Sequence, residues 1–439
     1  LPQPRPCAPP MRPPTHDPVG AAPLRVLASA YACEPGRGSE PGIGWNLARQ
    51  IALRHELTLV TRENNVEAIE RAAAEEALRI EVVGHDLPAS MRFWKRGARG
   101  AMPYYVLWQK SLAGLARDLC QEHRFDLAHH LTFASGWLPS GLARTGLPFV
   151  LGPVGEHPRV PQEFLRSRDW RARSGEFLRA TARRTFPWFE RDVRETWNAA
   201  DVILSLGRTF GDRVPSVHRG RVVSMLAAGT EPESFRDPLP RAAGAPLSCV
   251  FTGRLVDLKG VRIAVHAFAL AFAGGPETFD VYGDGPARAR LEELARELGV
   301  AAQVRFHGHV PHSEALDSMR AADVFLFPSF EGGGMVVPEA MAAGACVVCL
   351  DFGGPGEMVG TSRGVAVPPE DGVEATASEL SKVLRRLEAD EPARLRIAEE
   401  GQEWARRVTT WTSKGARLDQ VYARAVETAR ARRNAAPRA

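Results

Sequence analysis

Two acidic residues, Glu331 and Glu339, flank a short segment that contains three consecutive glycines. The segment follows an apolar stretch at 324–328, which is typical of a buried strand, and a helical pattern begins after it. A strand, a glycine turn and a helix start place free backbone amides where a phosphate is favoured. The two carboxylates could accept hydrogen bonds from sugar hydroxyls beside that anion. The alternative interpretation is an ordinary strand-to-helix turn.

Two basic residues follow another predicted strand, at 247–252. Arg254 lies at the end of this strand, and Lys259 precedes a helix predicted at 261–273. Both side chains are suited to neutralising a diphosphate leaving group. Two cations on a loop are also common as solvated surface, but the nearby acidic and glycine-rich segment favours the phosphate role.

A glycine-rich loop follows the first predicted strand, at 24–29, and includes Gly42 and Gly44 at the start of a helix at 41–53. The glycine spacing is not the GxGxxG of dinucleotide binding, and no clear ribose-binding Asp ends the next strand. A dehydrogenase is therefore disfavoured. The glycines either open a helix towards a cleft or serve a turn with positive φ.

The composition limits the class of protein. A chain of 439 residues with 44% hydrophobic and 25% charged residues is expected to form two globular domains. The net charge of +4 is small, and the sequence contains no basic arm, zinc-finger spacing or aromatic RNA-binding signature. Nucleic acid is therefore not an expected partner.

The six cysteines are scattered along the chain, which favours a reducing compartment over a disulfide framework. Cys346 and Cys349 form a CxxC, but the apolar residues around them favour a core strand over a redox or zinc site. Residues 1–23 are Pro-rich and are predicted to be a disordered leader. Because no run of about 18 apolar residues occurs, we expect no membrane-spanning helix and a cytoplasmic protein.

Strand and helix patterns alternate in two rounds, which predicts an α/β fold with one parallel sheet in each of two Rossmann-like domains. We expect a leader at 1–23, a first domain at 24–230, a linker at 231–246, a second domain at 247–405 and a C-terminal helix at 406–439. The C-terminal helices are expected to pack back on the first domain, and Trp404, Trp411 and Tyr422 are expected to fix the last helices against the domains. Ligands of such sheets bind at the carboxyl ends of the strands, so the cleft between the domains is the expected site.

The motifs taken together resemble family 4 glycosyltransferases of the GT-B fold. The likeness covers roughly residues 24–430. Its more specific part consists of Gly253-Arg254 with Lys259-Gly260, Tyr282-Gly283-Asp284-Gly285-Pro286, and Glu331 and Glu339 with Ala340-Met341-Ala342. Its looser part consists of Tyr31-Ala32-Cys33-Glu34-Pro35 and Ser39-Glu40-Pro41-Gly42. The resemblance implies a retaining enzyme that moves a sugar from a nucleotide-diphosphate sugar to an acceptor hydroxyl, without a metal or another cofactor.

The resemblance also implies roles for single residues. Glu339 would hold the ribose hydroxyls, and Glu331 would contact the donor sugar. Arg254 and Lys259 would bind the diphosphate. The further donor-binding residues that the resemblance implies are Gly42, Gly44, Gly283, Val310, Gly333, Gly334, Met335 and Val336, with Val310 beside the base.

A pair of histidines, His129 and His130, ends the strand predicted at 125–130. The pattern is similar to the Asp-x-x-His-x-His strand end of the family, whose second histidine faces the reacting sugar. Here that histidine falls one position early, and Leu131 occupies the expected place. The resemblance implies this catalytic role for His130, with His129 as its rival and a structural role as the alternative. The loop Gly152-Pro153-Val154-Gly155-Glu156 is similar to an acceptor-side loop of the family.

The acceptor is expected to be a lipid-linked or cell-surface glycan, or a small molecule. Residues 159–194 contain ten arginines and five acidic residues with aromatic residues between them, and 92–96 form a second basic and aromatic cluster. Such stretches can lie on an anionic membrane, or they can be a solvated helix face. A nucleotide-sugar epimerase and a non-catalytic nucleotide-sugar-binding protein stay open as alternatives, since fold alone does not settle the reaction.

Overall fold

The computed structural model describes residues 22–92, 100–133, 135–155, 164, 191–207, 210–211, 214–227, 229–235, 237 and 244–435. Within these residues the chain forms two parallel sheets, of seven and six strands, with helices against them. The predicted fold class of two Rossmann-like domains is therefore confirmed. Residues 1–21 of the predicted leader, the segment 93–99 and nearly all of 159–190 lie outside the described residues.

The first sheet has the strand order β3-β2-β1-β4-β5-β6-β7. Its central strands are buried along their whole length, as expected for a parallel sheet that is covered on both faces. The strands are β1 (Arg25–Ala30), β2 (Glu56–Thr61), β3 (Ile80–Gly84), β4 (Leu127–Thr132), β5 (Phe149–Val154), β6 (Val202–Ser205) and β7 (Val222–Ser224). The helices of this half are α1 (Ser39–Ala52), α2 (Glu63–Glu75), α3 (Ala101–Glu122), α4 (Arg191–Ala199) and α5 (Ser216–Arg219).

The second sheet has the order β10-β9-β8-β11-β12-β13. Its strands are β8 (Ser248–Thr252), β9 (Thr278–Tyr282), β10 (Val304–Gly308), β11 (Val324–Phe327), β12 (Cys346–Leu350) and β13 (Val365–Val367). The helices around it are α6 (Val261–Phe272), α7 (Arg288–Glu297), α8 (His312–Ala321), α9 (Val336–Ala342), α10 (Gly353–Val359), α11 (Val373–Ala389) and α12 (Glu391–Val408). Strands β11 and β12 are fully buried apolar runs, and they form the centre of this core.

The CxxC of the sequence lies on β12, where Cys346 and Cys349 are buried free thiols. Burial raises the pKa of Cys346 to about 12, so this thiol is protonated and unreactive at neutral pH. The core-strand interpretation of this pair is confirmed. Of the described helices, none combines the length and apolar character needed to cross a membrane.

The last helix, α13 (Trp411–Ala435), leaves the second domain and packs against α1, β5 and β6 of the first. Trp411 and Tyr422 are buried there, whereas Trp404 is buried in the core of the second domain. Helix α11 packs on α6, and α12 packs on α9 and β12. The return to the first domain is thus made mainly by the last helix.

The chain passes between the two sheets twice, and the two crossings contact each other. The Thr230 amide donates to the Thr409 carbonyl at 2.9 Å, and the two hydroxyls of this pair are also 2.9 Å apart. Both threonines are buried. The second crossing therefore begins where α12 ends, directly before α13.

Several elements differ from the sequence prediction. The strand predicted at 24–29 lies one residue later, that at 125–130 lies two residues later, and that at 247–252 begins one residue later. Helix α10 and strand β13 were not predicted. The Gly-Gly-Pro-Gly start of α10 has low helix propensity, and its place is set by tertiary contacts that are described below.

Candidate functional site

The loops at the carboxyl ends of β8, β9 and β10 are tied together by backbone hydrogen bonds. The Gly253 amide donates to the Tyr282 carbonyl at 2.9 Å, and the Gly283 amide donates to the Gly308 carbonyl at 2.7 Å. A side chain on Gly283 would lie 2.9 Å from the carbonyl carbon of Gly253, and the φ of Gly283 is +130°. Gly283 is therefore required for the close approach of two of these loops, and its predicted donor contact stays a prediction.

Lys259 and Glu331 form an ion pair across the ends of β8 and β11. Lys259 Nζ lies 2.6 Å from Glu331 Oε2, and the side chains are 17% and 23% exposed. The ammonium also lies 5.1 Å from the centre of the Phe327 ring. The structure thus brings together Lys259, which is predicted to bind the diphosphate, and Glu331, which is predicted to contact the donor sugar. Each side chain is held in place by the other.

Gly260 fixes the backbone beside this ion pair. It has a φ of +69°, and a Cβ built on it would overlap the carbonyl oxygen of Pro328 and lie 2.7 Å from its carbonyl carbon. Only glycine fits both the conformation and the contact. Helix α6 begins at the next residue, so Gly260 sets the position of Lys259 relative to the end of β11.

Arg254 lies on the same loop as Lys259 and is exposed. No hydrogen bond or ion pair connects its guanidinium to another residue in the described part of the chain. The structure therefore places both predicted cations on one loop, one paired and one facing solvent.

The glycine segment after Glu331 lies against the start of α10. Gly334 has a φ of +59°, and its Cβ would lie 2.7 Å from Pro355. The Cβ of Gly354 would lie 2.7 Å from the carbonyl oxygen of Gly333. Gly333 itself is exposed, with open space where a Cβ would be. Two close contacts with the start of α10 therefore hold this segment while leaving Gly333 accessible to a ligand.

Met335 and Val336, which follow the glycines, are half-buried. Met335 packs against the apolar core of the first domain. At the other end of the segment, the Phe164 ring of the first half lies 4.6 Å from the Phe330 ring. The segment between the two carboxylates is therefore in contact with both halves of the chain.

Glu339 lies in α9 and contacts a residue that the sequence analysis did not single out. His312 Nε2 is 3.2 Å from Glu339 Oε1. The neighbouring carboxylate raises the pKa of His312 above its ordinary value. Half-buried Val310, which is predicted to lie beside the base, is two residues before His312 in the chain. His312 is therefore close to one residue predicted to contact the base and contacts another, Glu339, predicted to hold the ribose. An exposed histidine gives no sequence signal of its own.

Gly42 and Gly44 are buried within α1 rather than exposed on a loop. A Cβ on Gly42 would overlap the Arg37 carbonyl, and a Cβ on Gly44 would overlap the Ala32 carbonyl. The close packing of α1 on its preceding loop therefore explains both glycines. Their predicted contact with the diphosphate stays a prediction.

His129 is fully buried, and both of its ring nitrogens have partners. Nε2 donates to the Gly152 carbonyl at 2.7 Å, and Nδ1 accepts from the Tyr422 hydroxyl at 2.8 Å. Burial lowers the pKa of His129 to about 3. The ring is therefore neutral and joins β4 to β5 and α13, which is the structural alternative.

His130 is 2% exposed. Nδ1 lies 3.0 Å from Ser140 Oγ, and Nε2 lies 3.2 Å from the Tyr105 hydroxyl. Burial lowers the pKa of His130 to about 4. With both nitrogens occupied, the geometry offers no exposed ring atom to a sugar, and the implied catalytic role of His130 stays a prediction without geometric support.

A charged and aromatic cluster lies at the carboxyl ends of β2 and β3, and the sequence analysis missed it. The buried Asp86 carboxylate accepts from the Tyr104 hydroxyl at 2.6 Å and from Arg62 Nε at 3.3 Å. The Arg62 guanidinium lies 5.3 Å from the centre of the Tyr31 ring. The residues come from four separate elements, so no local motif marks them. In the described chain, no cluster of three or more His, Cys, Asp or Glu side chains offers a metal site.

Comparison with known families places this site. Residues 246–386 match the family model described as "Glycosyl transferases group 1". This match covers most of the second domain. This domain contains the Lys259–Glu331 pair and Glu339, so the predicted resemblance to glycosyltransferases of the GT-B fold is confirmed.

Two curated relatives agree with this family. The chain is 38% identical over 171 residues to the 2-deoxystreptamine glucosyltransferase of Streptomyces kanamyceticus, covering 38% of this chain and 42% of that protein. It is 32% identical over 260 residues to D-inositol 3-phosphate glycosyltransferase 1 of Catenulispora acidiphila, covering 55% and 59%. The chain thus spans about half the length of these curated relatives.

Solved structures share the fold over nearly their whole length. HepE of Anabaena, crystallised with UDP and glucose, has a TM-score of 0.57 at 16% identity, covering 91% of this chain and 99% of that one. Sucrose-phosphate synthase of Thermosynechococcus elongatus has a TM-score of 0.61 at 18% identity, covering 91% and 98%. At these identities the likeness establishes the two-domain fold alone.

Proposed function

We propose that this protein is a retaining glycosyltransferase that moves a sugar from a nucleotide-diphosphate sugar to an acceptor hydroxyl. The observation that carries the proposal is the Lys259–Glu331 pair, which lies at strand ends within the residues that match the glycosyltransferase group 1 model. HepE, which shares this fold, was crystallised with UDP and glucose. This supports a nucleotide sugar as the donor class.

Cleavage of the anomeric bond places positive charge on the sugar and additional negative charge on the diphosphate. The Lys259 ammonium has three N–H donors and gives one of them to Glu331, so two are left for phosphate oxygens. Arg254, exposed on the same loop, supplies a second cation. Fixed cations stabilise this leaving group more in the transition state than in the ground state.

We therefore propose that protein cations, rather than a metal, neutralise the leaving group. Glu331 would hold a hydroxyl of the donor sugar, and Glu339 would hold the ribose. In a front-face displacement, the donor phosphate would accept the proton of the acceptor hydroxyl. Domain closure, with Met335 already in contact with the first domain, would exclude water from the site.

The acceptor is proposed to bind on the first domain, where the Asp86 cluster offers both hydrogen-bond donors and acceptors at the strand ends. We propose a cytoplasmic location because the cysteines of the described chain are free thiols. Contact with an anionic membrane through 159–194 is a further proposal. It predicts salt-sensitive co-sedimentation with anionic liposomes.

The first experiment is a thermal-shift screen with UDP-, GDP- and ADP-sugars, since a bound ligand stabilises the fold. Turnover of the donor found there is then compared for the wild type, Lys259→Met and the control Lys382→Met, which removes an exposed lysine. We expect Lys259→Met to lose on the order of 10²–10³ in kcat, with unchanged circular dichroism. Equal turnover by all three proteins would contradict the assigned role of Lys259.

Product analysis separates the alternatives. A glycosyltransferase yields a new glycosidic bond and free nucleoside diphosphate, and NMR of the anomeric proton reports retention. An epimerase would instead return an isomeric nucleotide sugar with no released diphosphate. A binding protein would show the thermal shift without any turnover.

A further inference from the structure

Among the histidines of the described chain, only His312 contacts a residue that is predicted to bind the nucleotide-sugar donor. Its Nε2 lies 3.2 Å from Glu339 Oε1, and its side chain is 68% exposed while that of Glu339 is 26% exposed. The contact joins the first residue of α8 to a residue of α9. A mostly exposed imidazole is thus directed at a mostly buried carboxylate.

The position of this contact follows from the loop before α8. The loop after β10 contains Val310 and Pro311, and the helix begins at His312. Under the proposed function, Val310 lies beside the base and Glu339 holds the ribose. His312 therefore lies between two parts of the same nucleoside.

We infer that His312 is a positioning residue for the nucleotide, which orients the Glu339 carboxylate towards the ribose hydroxyls. The inference rests on the proposed function. A carboxylate has two oxygens, and His312 uses one lone pair of Oε1, so Oε2 keeps its full capacity to accept from the ribose. Fixing the rotamer of Glu339 before the donor arrives lowers the entropy that binding has to overcome.

The charge of His312 adds a pH dependence to this role. The carboxylate of Glu339 raises the pKa of His312 above the ordinary histidine value of 6.5, because an adjacent negative charge favours imidazolium. The elements that pack most extensively on α8 are α9 and β8. Helix α9 presents Glu339, β8 has no charged residue, and α8 itself carries Glu314, Asp317 and Arg320.

The sign of the effect follows from the charge of the donor. Below its pKa, His312 is an imidazolium close to a ligand that carries a negatively charged diphosphate, which favours binding. As the pH rises through that pKa, the positive charge is lost. The KM for the donor is therefore expected to rise with pH in the neutral range, while kcat changes little.

The test compares His312→Ala, His312→Gln and the control His123→Ala, which removes an exposed histidine at the end of α3. We expect His312→Ala to raise the donor KM by about tenfold, the effect of a hydrogen bond to a charged group, with kcat within a factor of about two. Glutamine keeps a donor at this position but does not titrate. His312→Gln should therefore restore KM to near the wild-type value and remove its pH dependence.

A wild-type donor KM and pH profile in His312→Ala, with the donor still turned over, would overturn this inference and leave the proposed function standing. The inference would also be overturned if both variants had kcat lowered and KM raised by equal factors together with a lower melting temperature. That pattern indicates a purely structural residue, and it too would leave the proposed function standing. If no nucleotide sugar binds to or is turned over by the wild type, the proposed function fails, and this inference fails with it.

Discussion

Replacing Gly260 with alanine separates the cost of backbone strain from the cost of displacing Lys259. Gly260 has a φ of +69°, and an added Cβ would overlap the Pro328 carbonyl at the end of β11. Gly299 has a φ of +71° with nothing within 4 Å of an added Cβ. The two glycines thus have nearly the same positive φ, but an added methyl group would meet the Pro328 carbonyl at Gly260 and open space at Gly299.

The left-handed conformation costs an alanine about 1–2 kcal/mol at either position. At Gly260 the carbonyl carbon of Pro328 would also lie 2.7 Å from the new Cβ. This distance is below 3.0 Å, the limit under which Cβ contacts essentially never occur in proteins. The overlapping atoms are backbone, so either the turn or the end of β11 has to move. The Lys259–Glu331 ion pair joins these two segments. A misplacement of about 1 Å is enough to lower turnover on the order of 100-fold.

The assay measures urea unfolding and donor turnover for both variants. We expect both to lose stability, Gly260→Ala by more than Gly299→Ala, and only Gly260→Ala to lose turnover on the order of 100-fold. If the two variants keep equal turnover, Gly260 does not set the position of Lys259. If Gly299→Ala loses as much turnover as Gly260→Ala, the effect is general strain and the reasoning is wrong.

Two further predictions concern buried polar groups on α13. Tyr422→Phe removes the hydroxyl that donates to His129, so the free energy of unfolding in urea should fall by about 1–3 kcal/mol, and an unchanged value would contradict the contact. Burial lowers the pKa of Lys414 from 10.5 to about 7, and this ammonium donates to the Leu226 carbonyl. Because the unfolded chain holds the proton more strongly than the folded one, wild-type stability should rise as the pH increases from about 7 to 10.5, by on the order of 4 kcal/mol. Lys414→Met should lack this rise, and parallel pH profiles of the two proteins would refute the assignment.

The proximity of Lys259 and Glu331 was predictable because the sequence signals around them are local. Each group lies within a few residues of the carboxyl end of a strand, and parallel strands bring those ends to one edge of the sheet. Lys259 and Glu331 are 72 residues apart in the chain, yet their positions at the ends of β8 and β11, which are adjacent strands, make the contact. Knowing the strand ends was therefore enough to place both residues in one site.

The first domain was less predictable because its polar residues depend on distant elements. His129 is held by Tyr422, which lies 293 residues further along the chain on a helix that returns from the second domain. His130 is enclosed by Tyr105 and Ser140. No periodicity within the strand distinguishes a histidine that faces a cleft from one that faces a helix, since both lie at the same strand end.

Glycines were ambiguous in the sequence for a related reason. A glycine can be required by a ligand, by a positive φ or by the approach of another backbone, and the residue type is the same in all three cases. The structure attributes Gly42 and Gly44 to packing within the first domain, Gly260 to the close approach of the Pro328 carbonyl, and Gly334 to the close approach of the Pro355 ring. Gly333, with open space above it, is the glycine of this set whose surroundings leave room for a ligand.

The loop that carries Glu331 also contacts the first domain. The segment from Phe330 to Met335 touches the first domain at both ends, through Phe164 and through the core around Met335. The same segment carries Glu331, whose carboxylate forms an ion pair with the Lys259 ammonium. A diphosphate that accepts hydrogen bonds from the other N–H donors of Lys259 would lie beside Glu331. The loop that carries Glu331 contacts both halves of the chain. Donor binding and domain closure would then share one structural element.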